Sequence, residues 1–520
     1  MKKIATALLS CALAAATLAG CAANAAQVPQ ESQEPHTAAL TATAAASVKS
    51  PKYVFLFIGD GMSYPQIQST SDYLGALKDA DYWQAQPSLD DNQGAILDGP
   101  EYLNFMNFEA AGSAVTYDSN SFAPDSASTA TSISTGHKTY SGSINVDETG
   151  TIEYETIAEQ LKAQKGWEIG VITSVNLNHA TPAAFYAHQA SRSSYYEIGL
   201  ELVESGFDYF AGGGLLKPTG SSGDQTDLYE LAQEAGYTVA KTHAEADAIG
   251  TNTEKAIIID EDLADSDAMA YELDRTDDMW ALADYVAKGI EVLDNDTGFF
   301  MMCEGGKIDW ACHANDAASS IHDTQALADA VQVAIDFAKE HADETLILVT
   351  GDHETGGLTI GFAGTDYDTY LDLLENQKIS FAKYDSDYVA SYKANKPPFG
   401  TVLADIEKLF GLKAQGEEGD KLVLTAYEME QLRAAYEKSI NGTASSQYDQ
   451  AEYVLYGTYE PLSVTITHII NNTSGISFTS YSHTGLPVAV LAEGAGSEMF
   501  NGYYDNTDIY NKLADLLNIA

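Results

Sequence analysis

Short, unbroken apolar runs alternate along the chain with longer stretches whose apolar residues recur every three or four positions. The runs Tyr53–Ile58, Ile169–Thr173, Phe299–Cys303, Leu346–Thr350 and Val488–Ala492 predict strands buried on both faces. The segments Thr156–Lys165, Met279–Leu293, Ala317–Lys339 and Thr507–Leu517 predict helices with one apolar face. Continuous apolar strands that alternate with helices predict an α/β fold, a mainly parallel central sheet with helices on both faces.

Between residues 361 and 480 the pattern changes and the chain becomes rich in Tyr, Asp and Lys. Two amphipathic helices are expected there, one from Thr401 and one behind a capping box from Thr425 to Glu428. The stretch closes on a strand-like run, Leu462–Ile470. It reads as an insertion, a crown or cap beside the sheet, dividing a catalytic body into residues 51–360 and 481–520.

At the N-terminus Lys2 and Lys3 precede an apolar run, Ile4–Ala19, that is short for a membrane span and has the layout of an export signal. Its end, Leu18-Ala19-Gly20-Cys21, resembles a bacterial lipobox, which implies removal of residues 1–20 and a lipid on Cys21. A plain signal cut near Ala23-Asn24-Ala25 is the simpler alternative. Residues 21–50, rich in Ala, Thr and Ser, then serve as a flexible tether. The expectation is an exported bacterial protein whose only membrane attachment is that lipid.

Composition changes this picture in one respect. The 520 residues are 45% hydrophobic and 20% charged, which excludes wholesale disorder. The 26 Lys and Arg face 76 Asp and Glu, a formal charge of −50. Such a surface repels nucleic acid, and no basic stripe interrupts it. It also repels small anions, so any phosphate site here needs bound cations. Of four cysteines, Cys11 and Cys21 lie in or at the end of the export signal. Cys303 and Cys312 could pair, but two buried thiols fit equally well and no disulfide is predicted.

Candidate chemistry gathers at the strand ends. Three predicted strands run into Gly59-Asp60-Gly61, Glu304-Gly305-Gly306 and Gly351-Asp352-His353. Each alone is an ordinary turn. Three acids at equivalent ends of parallel strands are brought together in space, where open α/β sheets bind ligands. Asp309 and His313, four apart, face the same way on a helical turn and can grip one ion. His483, in Ser482-His483-Thr484-Gly485, is a weaker candidate by itself. In Pro124-Asp125-Ser126-Ala127, a loop opening a helix, Asp125 or Ser126 can be a plain N-cap. Alternatively, Ser126 at a helix N-terminus is a nucleophile beside an anion site, active once a metal lowers its pKa.

These residues resemble the alkaline phosphatases. The likeness runs from Tyr53 to the C-terminus through six motifs in the family's order: Phe57-Ile58-Gly59-Asp60-Gly61-Met62; Asp125-Ser126-Ala127 with Ser134-Thr135-Gly136; His179-Ala180-Thr181-Pro182-Ala183; Glu304-Gly305 to Asp309 and His313; Asp352-His353; and His483-Thr484-Gly485. The resemblance implies two zinc ions and one magnesium. One zinc would lie on Asp309, His313 and His483, and the second on Asp60, Asp352 and His353 beside Ser126. Magnesium would lie on Asp60, Thr181 and Glu304. Arg192 matches the family's phosphate-binding arginine. The implied activity is hydrolysis of phosphate monoesters through a phosphoserine, by a protein that is often a homodimer. His179 and Trp310 fall at two positions that vary in the family. Trp310 departs from the commoner Lys or His, which implies weaker product inhibition by phosphate. A diesterase or sulfatase on the same core is the nearest rival. The sulfatase motif Cys/Ser-x-Pro-x-Arg is absent around Ser126, and the third-metal set is intact. A lipid-anchored protein that merely sequesters zinc or phosphate is the rival from another class.

Overall fold

The computed structural model describes residues 50–79, 97–442 and 445–519. The expected leader, Cys21 and all but the last residue of the tether lie outside the described residues. The first strands in the chain are β1 (Tyr53–Gly59), β2 (Ala110–Val115), β3 (Glu168–Asn176), β4 (Tyr209–Gly213), β5 (Thr238–Ala240), β6 (Ala256–Ile259), β7 (Phe299–Gly305) and β8 (Thr345–Gly351). After them come β9 (Glu354–Thr355), β10 (Thr359–Ile360), β11 (Ile476–Ser477), β12 (His483–Thr484), β13 (Val488–Gly494) and β14 (Gly502–Asp505).

Ten of these form one sheet in the order β14-β2-β13-β8-β1-β7-β3-β4-β6-β5. Only β13 runs against its neighbours, so the sheet is mainly parallel as expected. Successive side chains of β1 go to opposite faces: Val54, Leu56 and Ile58 join one apolar cluster, Tyr53, Phe55 and Phe57 the other. The helices Ser126–Thr135, Ile157–Lys165 and Thr507–Leu517 complete the first cluster. The helices Leu282–Leu293 and Ala317–Glu340 complete the second. The helix expected from Met279 starts later, at Leu282, because Asp284 accepts the Ala281 N–H at 2.8 Å and fixes the entry there.

The register places the chemistry. β1 lies between β7 and β8, with Gly59 opposite both Gly305 and Gly351. The acids of all three strand ends therefore sit side by side at the middle of the sheet. The glycines permit this crowding. A Cβ on Gly351 would stand 1.8 Å from the Met62 carbonyl oxygen. Gly61 adopts φ +72°, where a side chain is strained and would press on Thr355 and Asp309.

Residues between β10 and β11 build a third apolar cluster, with Leu374, Tyr384, Val402, Ile406, Phe410, Leu432 and Ile466, seated on Tyr73, Ala317 and Ile321. Two antiparallel ribbons close its base. β10 pairs with β11, and β9 pairs with β12 so that His483 lies opposite Thr355. The strand-like run Leu462–Ile470 is instead part of a helix, Pro461–Ser474. Its alternating Leu462, Val464 and Ile466 mimic a strand because that helix is buried on nearly every side, which erases the one-sided pattern. Pro461 in the first turn and Gly475 at φ +84° mark its ends. Among the described residues no helix is long and apolar enough to cross a membrane. Cys303 and Cys312 are buried free thiols.

Candidate active site

Asp309 and His313 lie on a short helix, Lys307–His313, that follows β7 directly. The β9–β12 ribbon brings His483 to them. His313 Nε2 is 3.0 Å from His483 Nε2, and Asp309 Oδ1 is 3.4 Å from the first and 3.6 Å from the second. Each ring has its Nδ1 committed to a carbonyl oxygen at 2.6 Å, that of Tyr481 for His313 and that of Pro124 for His483. Those nitrogens must donate, so both Nε2 atoms carry bare lone pairs aimed at one another and at a carboxylate. A positive charge held between them, a metal ion or a shared proton, satisfies the arrangement, and one carboxylate with two imidazoles is a set of zinc-type donors.

A second group lies behind it. His353 Nε2 is 3.3 Å from Asp60 Oδ1, 3.4 Å from Asp352 Oδ2 and 3.2 Å from Ser126 Oγ. The His353 and His483 rings stack at 3.7 Å, which sets the two groups back to back. Asp352 is held by the Gly61 and His353 N–H groups and by the Thr129 hydroxyl at 3.0 Å. Thr181 Oγ1 is 3.3 Å from Asp60 Oδ2, and Thr173 Oγ1 donates to Glu304 Oε2. The remaining oxygens, Asp60 Oδ1 and Glu304 Oε1, are buried without a hydrogen-bond partner. Such orphaned acceptors fit a metal site and little else.

The electrostatics carry the same demand. Burial, reinforced by Asp352, Asp309 and Glu304, drives Asp60 well above the usual carboxylate range. Burial likewise takes Glu304 up to about 7 and Asp352 up to about 8. Asp309 is the exception: against burial, the Thr355 hydroxyl and any positive charge gathered on the surrounding His313, His483 and His353 rings hold it low. Burial keeps His353 and His483 neutral, the form that binds metals. Packed this way, Asp60, Glu304 and Asp352 need added positive charge beside them to be fully ionised at neutral pH.

Ser126 opens the helix Ser126–Thr135, whose N-cap is Asp125. Asp125 accepts from Ser128 N and Gly142 N, and its other oxygen takes Arg192 Nη1 at 2.9 Å. The guanidinium is thus aimed past the helix start, and against burial it combines with the Gly142 and Ser128 N–H groups to hold Asp125 below its ordinary pKa. His179 lies 3.5 Å from Arg192 Nη2 and edge-on to Trp310, with ring centroids 5.8 Å apart. Burial and the arginine push its pKa down to about 3.

Every residue singled out in the sequence converges here. Three hydroxyls were missed: Thr355, which donates to Asp309 Oδ1 at 2.5 Å, Thr129 and Thr173. A further acid–imidazole group, His243, Asp260 and Asp262, was also unforeseen and lies at the end of β6.

Two caged imidazole–carboxylate groups around a serine that opens a helix are a phosphoryl-transfer arrangement, and the alkaline phosphatase family model matches residues 51–519. The chain belongs to the alkaline phosphatase family. It is 30% identical to alkaline phosphatase 4 of Bacillus subtilis over 89% of this chain and 88% of that one. Alkaline phosphatase 3 of the same organism is also 30% identical, over 88% and 87%. A cold-active alkaline phosphatase from the psychrophile Shewanella sp. superposes with a TM-score of 0.70 at 27% identity, covering 89% of this chain and 99% of that chain. The chain is a phosphomonoester hydrolase on the alkaline phosphatase fold, and its site gathers two groups of residues able to hold a metal ion.

Proposed function

We propose that Ser126 is the nucleophile and passes through a phosphoserine, that Arg192 binds the phosphate, and that the chain uses two zinc ions and one magnesium. Asp309, His313 and His483 would hold one zinc, and Asp60, Asp352 and His353 the other. Asp60, Thr181 and Glu304 would hold magnesium. A relative from the Antarctic bacterium TAB5, 26% identical, has been solved as a substituted form with magnesium in its M3 site, which supports the third assignment. When bound, the ions supply Lewis acidity that lowers the pKa of a hydroxyl or water and offsets the phosphate's charge.

The observation that carries the reading is Ser126 Oγ at 3.2 Å from His353 Nε2, at the start of a helix. The helix N-terminus favours an alkoxide on Ser126 and the anion it attacks. Arg192, steadied by Asp125, offers a planar fork to two phosphate oxygens and keeps phosphorus in line with Oγ. Ser126 Oγ bonds to phosphorus as the ester oxygen departs and takes a proton, leaving an alcohol and a phosphoserine. Water then attacks phosphorus from the vacated side, releasing inorganic phosphate and restoring the hydroxyl.

The same reading extends to the rest of the chain. Residues 1–20 act as an export signal, Cys21 carries a lipid, residues 21–50 are a tether, and residues 361–480 are a cap inserted into the catalytic body. The protein works as a homodimer held at a bacterial membrane by its lipid. Replacing Ser126 by Ala tests the central claim. kcat is expected to fall at least about a thousandfold, with no acid-stable phosphoserine after quenching. Retained activity or a phosphoserine elsewhere overturns it.

A further inference from the structure

A phosphate held between Ser126 and Arg192 would turn its ester alcohol toward a cleft that Arg192 itself lines. This cleft of about 400 Å³ opens on Asp309, His313 and Arg192, and Trp310, Tyr271, Phe381 and Tyr459 supply the aromatic part of its walls. Trp310, Phe381 and Tyr459 are only half-buried, so their rings border open space. Phe381 meets Tyr271 and Tyr459 edge-on, with centroids 5.7 and 5.9 Å apart. Lys307 braces the opposite wall from behind. Its ammonium lies 4.7 Å from the Trp310 ring and 4.2 Å from the Tyr271 ring, and is pinned to Asp265 at 2.6 Å. The side chain of Lys307 is wholly buried, so it offers its charge to the aromatic wall and Asp265, not to solvent.

We propose that Trp310, Phe381 and Tyr459 form a leaving-group subsite selecting phosphate monoesters whose alcohol carries a flat ring system, nucleoside monophosphates above all, over esters of the bare sugar. The inference rests on the assignment of Ser126 and Arg192 to the phosphate. Fixed aromatic faces beside an open volume reward planar groups, because stacking needs no hydrogen-bond match. Asp265 on the rim and the −50 charge of the chain work against a second anionic group on the alcohol. Phe381 and Tyr459 both come from the segment between β10 and β11, so supplying this wall is what that segment does for the reaction.

Adenosine 5′-monophosphate and ribose 5-phosphate test this directly, because both lose a primary sugar hydroxyl and differ in the base. The ratio of their kcat/KM values is expected to be about tenfold or more in favour of the nucleotide. Phe381→Leu and Tyr459→Leu keep apolar bulk but lose the flat face, and each lowers that ratio toward one. The ratio is taken within one sample, so partial misfolding does not move it. Adenosine, with no phosphate, competes with substrate in the unsubstituted enzyme, and ribose does not. A ratio near one in an enzyme that depends on Ser126, or a ratio unmoved in both variants, overturns the proposal alone. A Ser126→Ala protein that stays active overturns the assignment of the site and the proposal with it.

Discussion

Trp310 stands one residue from Asp309 and three from His313, at a point where a long cation would reach toward bound phosphate. Its indole instead packs edge-on against His179 and rests on the buried Lys307 ammonium. Among the described residues that line the cleft, the arginine or lysine left to meet a phosphate is then Arg192, itself paired with Asp125. Trp310→Lys adds an ammonium at the cleft, and its expected effect is tighter competitive inhibition by inorganic phosphate, by about tenfold. Progress curves at fixed substrate with added phosphate measure it, and an unchanged inhibition constant removes the argument. Of the proposed ligands, the acids at the strand ends and Asp309 with His313 one turn apart carry a local signal, whereas His483 is weak by itself and Thr181 and Arg192 were reached only through the family resemblance. Thr355, Thr129 and Thr173 were not legible. A threonine's role depends on which carboxylate the fold lays beside it, and Thr355 meets Asp309 across 46 positions of sequence.

At the scale of elements, β1, β3, β7, β8 and β13 could be read from their unbroken apolar runs, whereas the short buried β4 and β6 were not read, nor was β2. Its residues, Ala110 to Val115, are small and only alternately buried, so they carry little apolar signal. The helix Pro461–Ser474 was misread for the opposite reason, being buried on too many sides to show a stripe. That helix packs near a half-buried carboxyl, Asp385, beside its Ser463. Asp385 Oδ1 is buried without a partner, and burial pushes the carboxyl up to about 8, with Ser463 opposing and Glu460 adding to the rise. The sign of the consequence follows from proton counting. Folded Asp385 keeps its proton to about pH 8, whereas the unfolded chain releases it near its ordinary 3.8. The folded state thus binds more protons across that window, and its stability falls as pH rises from about 4 to 8. Asp385→Asn removes this slope. The melting temperature of the variant is expected to exceed that of the parent by about 2–4 °C at pH 8 and to match it near pH 4. Thermal melts at the two pH values decide, and an equal shift at both would count against a titrating Asp385.

For the whole molecule, the excess of acid over base already implied bound cations, and the buried site repeats that logic at close range. Asp60, Asp352, Glu304 and Asp309 lie together at the centre of the sheet, almost fully buried. Without metal, protons must do what cations do. Glu304 then titrates near 7 and Asp352 near 8, against ordinary values of 4.5 and 3.8. Between those limits the metal-free folded protein holds protons that the unfolded chain has lost, so its stability declines as pH rises through the window. Cations bound at the site displace those protons and abolish the decline, and they bind more tightly as the carboxylates ionise. Chelation should therefore cost little at pH 5.5, where the acids neutralise themselves, and much more at pH 8.5, where they repel one another. The loss of melting temperature on chelation is expected to be larger at pH 8.5 than at pH 5.5 by at least about 2 °C. Added zinc and magnesium should restore both stability and monoesterase activity. Calorimetry of the same sample before and after chelation reads the difference. Equal losses at the two pH values would mean that the buried acids do not depend on metal for their charge balance.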